Sequence, residues 1–218
     1  MINPGGLSRD VPVVLGATAY MIIDVQNYCA RPDGNEFKHL SPEERYRTYG
    51  YYFDRLRRVA LPAMAQVQAA CRAAGIEVMY TTIECLTQDG RDMSLDYKIS
   101  GFHVPKGSWD AEVLEEIAQQ GDEIRLPKTS SSVFISTNAD YVLRSLGVRH
   151  LILAGVMTDQ CVESAVRDAC DLGYLVTLVT DACAAKSQAR HDDSLRAIAG
   201  YCRQRTSKDL VAEIAALK

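Results

Sequence analysis

The stretch His150-Leu-Ile-Leu-Ala-Gly155-Val-Met-Thr-Asp-Gln-Cys161-Val-Glu-Ser-Ala-Val-Arg-Asp-Ala169 is an apolar run that stops at a glycine-containing turn and restarts as a helix. A short apolar run bounded by turn signals reads as a strand buried on both faces, the kind found in parallel sheets. Cys161 then falls in the first turn of the following helix. Unpaired backbone N–H groups and the positive end of the helix dipole favour a thiolate there. The same N–H groups suit a developing oxyanion. The competing reading makes Cys161 a small buried hydrophobe, the usual fate of a free cysteine.

The strand–turn–helix pattern recurs along the chain. Residues 19–24 form an apolar run closing on Asp24, and 76–83, 123–127 and 175–180 read as further strands. Helices are expected at 53–74, ended by Gly75, at 110–119, at 137–146, ended by Gly147, from Cys161 to Gly173, and at 194–201 and 208–217. Alternating strands and helices predict an α/β fold in three αβα layers, Rossmann-like, with a mainly parallel six-stranded sheet. The 218 residues, 47% hydrophobic and 24% charged, fit a single domain over 1–218. The segment 84–108 is a long connection with Gly90, Gly101, Pro105 and Gly107, a composition expected of a binding loop or lid.

A net charge of −4 with scattered Lys and Arg argues against a nucleic-acid surface. No stretch has the length and apolarity of a membrane span, and no N-terminal run has the pattern of a signal peptide, so no membrane partner and a cytoplasmic location are expected. The seven cysteines are odd in number and widely spaced, which reads as reduced thiols. None forms a C-x-x-C pair and no histidine sits near one in ligand spacing, so neither a metal nor a cofactor is expected.

In an open parallel sheet, ligands bind beyond the carboxyl ends of the strands. Asp24, Lys128 and Cys161 each lie at or just past such an end. Alone, Asp24 reads equally as a cap and Lys128 as a solvated charge. Together they supply a base, a cation and a nucleophile, a set able to perform acyl transfer without histidine.

Around these residues the sequence resembles the isochorismatase-like cysteine hydrolases. Ile22-Ile-Asp24-Val-Gln26-Asn27, Leu126-Pro-Lys128-Thr-Ser-Ser-Ser-Val-Phe134 and Ala154-Gly-Val-Met-Thr-Asp-Gln-Cys161-Val are similar to that family's three motifs, in order. The resemblance implies a triad of Cys161, Asp24 and Lys128, a cis peptide between Val156 and Met157, and an oxyanion site at the N–H groups of Met157 and Cys161. It implies a mechanism in which Asp24 takes the Cys161 proton, the sulfur attacks an amide carbonyl, and water resolves the resulting thioester. It also implies a homodimer or homotetramer.

Members acting as nicotinamidases carry an Asp-x-His metal motif after the second strand; Thr81-Thr-Ile-Glu84-Cys-Leu-Thr-Gln-Asp89-Gly has no histidine. Pro105-Lys-Gly-Ser-Trp109-Asp and Cys161-Val-Glu-Ser164 look like the branch that cleaves ureides, with biuret, triuret or ureidoacrylate as substrate types. The residues expected to contact such a small molecule are Gln26, Asn27, Tyr28, Glu84, Ser131, Ser132, Phe134 and Gln204. For Gln204, between Arg203 and Arg205, the other reading is a basic cluster complementing a helix end. Another small-amide hydrolase, nicotinamidase-like or acting on N-carbamoyl amino acids, a binding protein that kept the fold, and a redox sensor paired with Cys170 are the alternatives.

Overall fold

A computed structural model describes residues 6–217. Six strands, β1 (Thr18–Ile23), β2 (Glu77–Ile83), β3 (Ile124–Lys128), β4 (His150–Val156), β5 (Leu175–Ala184) and β6 (Arg203–Arg205), form one sheet in the order β3-β2-β1-β4-β5-β6. Every neighbouring pair is parallel. The helices are α1 (Asn27–Ala30), α2 (Pro42–Arg55), α3 (Leu61–Ala73), α4 (Leu95–Ile99), α5 (Val133–Ser136), α6 (Ala139–Ser145), α7 (Glu163–Asp171), α8 (Gln188–Ile198) and α9 (Ser207–Ala215). The strand order runs outward in both directions from β1 and β4. Their C-terminal ends therefore frame the crevice where such sheets bind ligands.

Alternate residues of each central strand enter opposite cores, as the two-residue side-chain period requires. Tyr20, Ile22, Tyr80, Ile152 and Ala154 pack with Leu56, Met64 and Val67 of the α2–α3 side and with Leu210 of α9. Ala19, Met21, Ile23, Leu151 and Leu153 pack with Leu143 of α6, Ala165 and Val166 of α7, and Ile198 of α8. Among the described residues no helix is long and apolar enough to cross a membrane.

The architecture follows the sequence expectation, with local corrections. The helix expected at 53–74 begins earlier, at Pro42, where Ser41 and Glu44 form a capping box. A π-helical turn, Leu56–Ala60, then joins α2 to α3 just before Pro62, whose missing N–H disturbs the regular ladder. The helix expected at 110–119 is two 3-10 turns, Trp109–Ala111 and Glu115–Ile117. Between them the backbone pairs with the exit of β1, Asn27 N–H to Glu112 O at 2.9 Å and Leu114 N–H to Val25 O at 3.1 Å, and these bonds replace helical ones. The helix expected at 194–201 is α8, which starts six residues sooner. Arg203–Arg205, read as a charged helix end, is the edge strand β6, aligned with β5 at Leu178↔Gln204.

Candidate active site

Asp24 is the first residue past β1 and takes a left-handed backbone conformation, φ 57°, in which aspartate is better tolerated than most residues. Its carboxylate is buried, with Oδ1 accepting from Thr81 Oγ1 at 2.7 Å and Oδ2 lying 2.8 Å from Lys128 Nζ. On β4, Gly155 allows the close approach that sets these strand ends side by side. It pairs with Ile23 at φ 131°, and a Cβ there would lie 2.2 Å from Ile23 O.

Lys128 ends β3 and is wholly buried. Its ammonium donates to Tyr97 Oη at 2.9 Å, to Ser130 O at 2.8 Å and to Cys161 Sγ at 3.4 Å, besides pairing with Asp24. Burial alone would lower the Lys128 pKa, but the negative charge of Asp24 and of a Cys161 thiolate raises it overall. The lysine stays cationic.

Cys161 sits in a π-helical turn, Thr158–Val162, ahead of α7, and its Sγ lies 3.5 Å from Tyr97 Oη. Burial pushes its thiol up to about 12, with Lys128 pulling down and Asp24 pushing up. Desolvation and Lys128 thus act in opposite directions on a sulfur set beside the Asp24–Lys128 ion pair. The turn expected to open an α-helix is this π-helical turn, and the α-helix begins only at Glu163. The Val156–Met157 peptide is cis.

Asp24 and Cys161 open onto a cavity of about 810 Å³, with Val156, Met157 and Gln160 beside them. The segment 84–108 covers one side of it. That segment is tied down by Cys85 N–H to Val104 O at 2.8 Å and Ser94 N–H to Thr129 O at 2.9 Å. Its helix α4 brings Tyr97 into the wall, stacked on Phe102 at 4.5 Å.

Of the residues expected to touch a substrate, Tyr28 and Ser131 line this cavity. The others do not: the polar side chains among them serve the scaffold, and Phe134 packs against an aromatic ring. Gln26 is buried, its amide donating to Ile83 O and Asp110 O and accepting from Ile83 N–H. Asn27 donates to Trp109 O at 2.9 Å. Glu84 accepts from Gly107 N–H and faces Arg125 at 3.5 Å. Ser132 caps α5 by accepting from Phe134 N–H, and the Phe134 ring packs against Tyr174, 6.0 Å away. Gln204 donates to Leu195 O from the far edge strand. Cys170 bonds Tyr201 O in a separate hollow, away from Cys161.

Thr81 and Tyr97, which hold the Asp24 carboxylate and bridge lysine to sulfur, were not singled out by the sequence reading. Thr81 is an ordinary strand residue, identifiable only from its alignment with Ile23. A second unanticipated network stands behind the Cys161 turn, where His191 Nδ1 meets Thr158 Oγ1 at 2.9 Å and Nε2 meets Arg55 at 2.9 Å. Ser194 Oγ adds a bond to Thr158 O at 3.1 Å. Among the described residues no group of three or more His, Cys, Asp or Glu is placed to hold a metal ion.

The isochorismatase domain profile matches residues 18–209. The ureidoacrylate amidohydrolase RutB of Rhizobium rhizogenes is 29% identical over 199 residues, covering 80% of this chain and 74% of that protein. The crystal structure of a cysteine hydrolase from Pseudomonas syringae pv. phaseolicola aligns with a TM-score of 0.79 at 24% identity, covering 95% of this chain and 97% of that one. N-carbamoylsarcosine amidase from Thermoplasma acidophilum aligns with a TM-score of 0.68 at 24% identity, over 88% and 96% of the two chains. At those identities the two structures speak for the shared fold, and the profile match decides the family. The chain belongs to the isochorismatase family of hydrolases.

Proposed function

We propose that the protein is a cysteine-dependent amidohydrolase that cleaves a C–N bond of a small ureide or carbamoyl compound. The observation that carries this reading is the meeting of three groups beside one cavity, the buried Lys128 Nζ lying 2.8 Å from Asp24 and 3.4 Å from Cys161 Sγ. The similarity to ureidoacrylate amidohydrolases supports the ureide class.

In the proposed reaction Asp24 accepts the thiol proton as the sulfur attacks the carbonyl carbon. The oxygen gains a negative charge and is held by the N–H groups of Met157 and Cys161. Collapse breaks the C–N bond, and the proton on Asp24 passes to the leaving nitrogen. Water then attacks the acyl–sulfur ester, giving its proton to Asp24, which returns one to the departing sulfur. Lys128 stays charged throughout and compensates the buried anion on Asp24, and that on the sulfur as it departs from the acyl group. No step draws on a metal or a cofactor.

The test is ammonia release from biuret, triuret, ureidoacrylate, N-carbamoyl amino acids and nicotinamide, with Cys161→Ala as the control. Turnover of at least one ureide by the wild type, abolished in the variant, is expected. Turnover that survives Cys161→Ala, or is confined to nicotinamide, overturns the reading.

A further inference from the structure

Lys128 has more acceptors around it than hydrogens to give. An ammonium carries three N–H groups, and four atoms stand within reach of this one: Asp24 Oδ2 and Ser130 O at 2.8 Å, Tyr97 Oη at 2.9 Å and Cys161 Sγ at 3.4 Å. No arrangement gives each its own bond. The sulfur, the farthest of them, is the least well served.

Tyr97 brings the missing donor. Its Oη lies 2.9 Å from Lys128 Nζ and 3.5 Å from Cys161 Sγ. The lysine can only donate, so the phenol oxygen accepts there and the phenol hydrogen is free to bond elsewhere. The same hydroxyl meets Ser131, whose own O–H can take the second lone pair and leave the phenol hydrogen to the sulfur. Burial, with negative charge on Cys161 and Asp24 adding to it, raises the Tyr97 pKa, so the group is a neutral donor. An O–H whose oxygen is already polarised by an ammonium donates more strongly than a lone phenol.

The fold holds this hydroxyl in place. Ser94 accepts from Tyr97 N–H at 3.2 Å, and its own N–H donates to Thr129 O at 2.9 Å, which fastens the start of α4 to the residue after Lys128. The ring stacks on Phe102 at 4.5 Å, and Phe102 N–H donates to Tyr97 O at 2.9 Å. Tyr97 is 2% exposed and still lines the cavity beside Cys161.

We infer that Tyr97 is a catalytic residue of the proposed reaction, donating its O–H to the Cys161 sulfur and holding the negative charge that sulfur bears during attack and again as it leaves the acyl group. The phenol proton stays on its oxygen, and no covalent bond to Tyr97 forms or breaks. The inference rests on the amidohydrolase reading and adds to it a fourth group, supplied by the segment 84–108.

Tyr97→Phe removes the hydroxyl and keeps the ring. Alkylation of Cys161 by iodoacetamide at pH 8, followed by peptide mapping without substrate, should be about threefold to tenfold slower in the variant. Loss of a charge-assisted hydrogen bond lowers the thiolate fraction by more than that, and the greater nucleophilicity of a less stabilised thiolate returns part of the loss. On a ureide that the wild type turns over, kcat should fall about tenfold to a hundredfold with KM within about threefold, because the sulfur is charged only in the reaction. A tyrosine that merely packs would move the urea midpoint or KM and leave the alkylation rate alone.

Alkylation within about twofold of the wild type, faster alkylation, or a loss confined to KM overturns the inference. Should the wild type turn over no ureide, the amidohydrolase reading fails on its own, and the alkylation rate still decides whether Tyr97 bonds the sulfur. Should Tyr97→Phe not fold, Tyr97→Met, which also lacks the donor and fills space adaptably, is read in the same way.

Discussion

Loss of water around its sulfur pushes the Cys161 thiol up, and the charge of Lys128 pulls it back down. In the proposed mechanism deprotonation accompanies attack, which places the burden on Asp24. Alkylation of Cys161 by iodoacetamide in the free enzyme should rise about tenfold per pH unit between pH 7 and 10, as the thiolate fraction does below its pKa. Peptide mapping must resolve it from Cys170, a less buried thiol pushed up to about 11 by burial. A rate that levels off at neutral pH would mean a preformed thiolate. Asp24→Asn keeps the shape and removes the base, so turnover of the best ureide should fall roughly 10²–10⁴-fold or more, with slowed thioester hydrolysis in single-turnover experiments. Near-normal turnover in that variant would make Asp24 a structural partner of Lys128 only. Asp24, Lys128 and Cys161 were legible in the sequence because each follows a recognisable strand. Tyr97 and Thr81 were not, because only the folded chain sets them beside those ends.

At the scale of elements, β1 to β4 were readable to within a residue or two, since they are mostly apolar runs that only a doubly covered sheet can bury, whereas β5, expected to end at 180, runs on to Ala184. What escaped reading depended on contacts with distant chain. The two 3-10 turns near Asp110 exist because their backbone bonds the exit of β1, and β6 is a polar three-residue edge strand with no periodicity to detect. The start of α2 is the exception, since Ser41-Pro-Glu-Glu44 is a local capping signal. Two substitutions separate local from site-building roles. Ser41→Ala should lower stability by about 1 kcal/mol in urea unfolding and leave kcat/KM unaltered, because the cap lies outside the cavity. Gly155→Ala should cost more than about 2 kcal/mol and reduce activity as well, since a Cβ 2.2 Å from Ile23 O forces apart the strand ends that carry Asp24 and Cys161. Equal stability of the two variants would show that β1 and β4 have room to separate.

For the whole molecule, the outward strand order places one crevice at the β1–β4 junction, and the chain has built two buried polar networks around it. One contains Asp24, Lys128 and Cys161; the other, Arg55–His191–Thr158, fastens α2, α8 and the turn that carries Cys161 together. His191 is 2% exposed, and burial, followed by the charge of Arg55, lowers its pKa to about 4, while Asp192 and Asp159 act weakly in the other direction. In the unfolded chain the imidazole titrates near its usual value of about 6.5. Between those limits the unfolded state binds a proton that the folded state refuses. The contribution of His191 is therefore complete above about pH 6.5 and is lost as the pH falls from there toward about 4, with a limiting slope of about 1.4 kcal/mol per pH unit. Glu36 has the opposite sign over part of the range, because its raised pKa makes stability fall as the pH rises from the ordinary carboxylate range through about 8. Comparing wild type with His191→Gln cancels that contribution. The amide cannot take up a proton, so the loss of urea midpoint between pH 7.5 and pH 5 should be clearly smaller in the variant than in the wild type. Parallel pH profiles for the two proteins would show that His191 is protonated as readily folded as unfolded, and that the network behind the nucleophile turn does not hold it neutral.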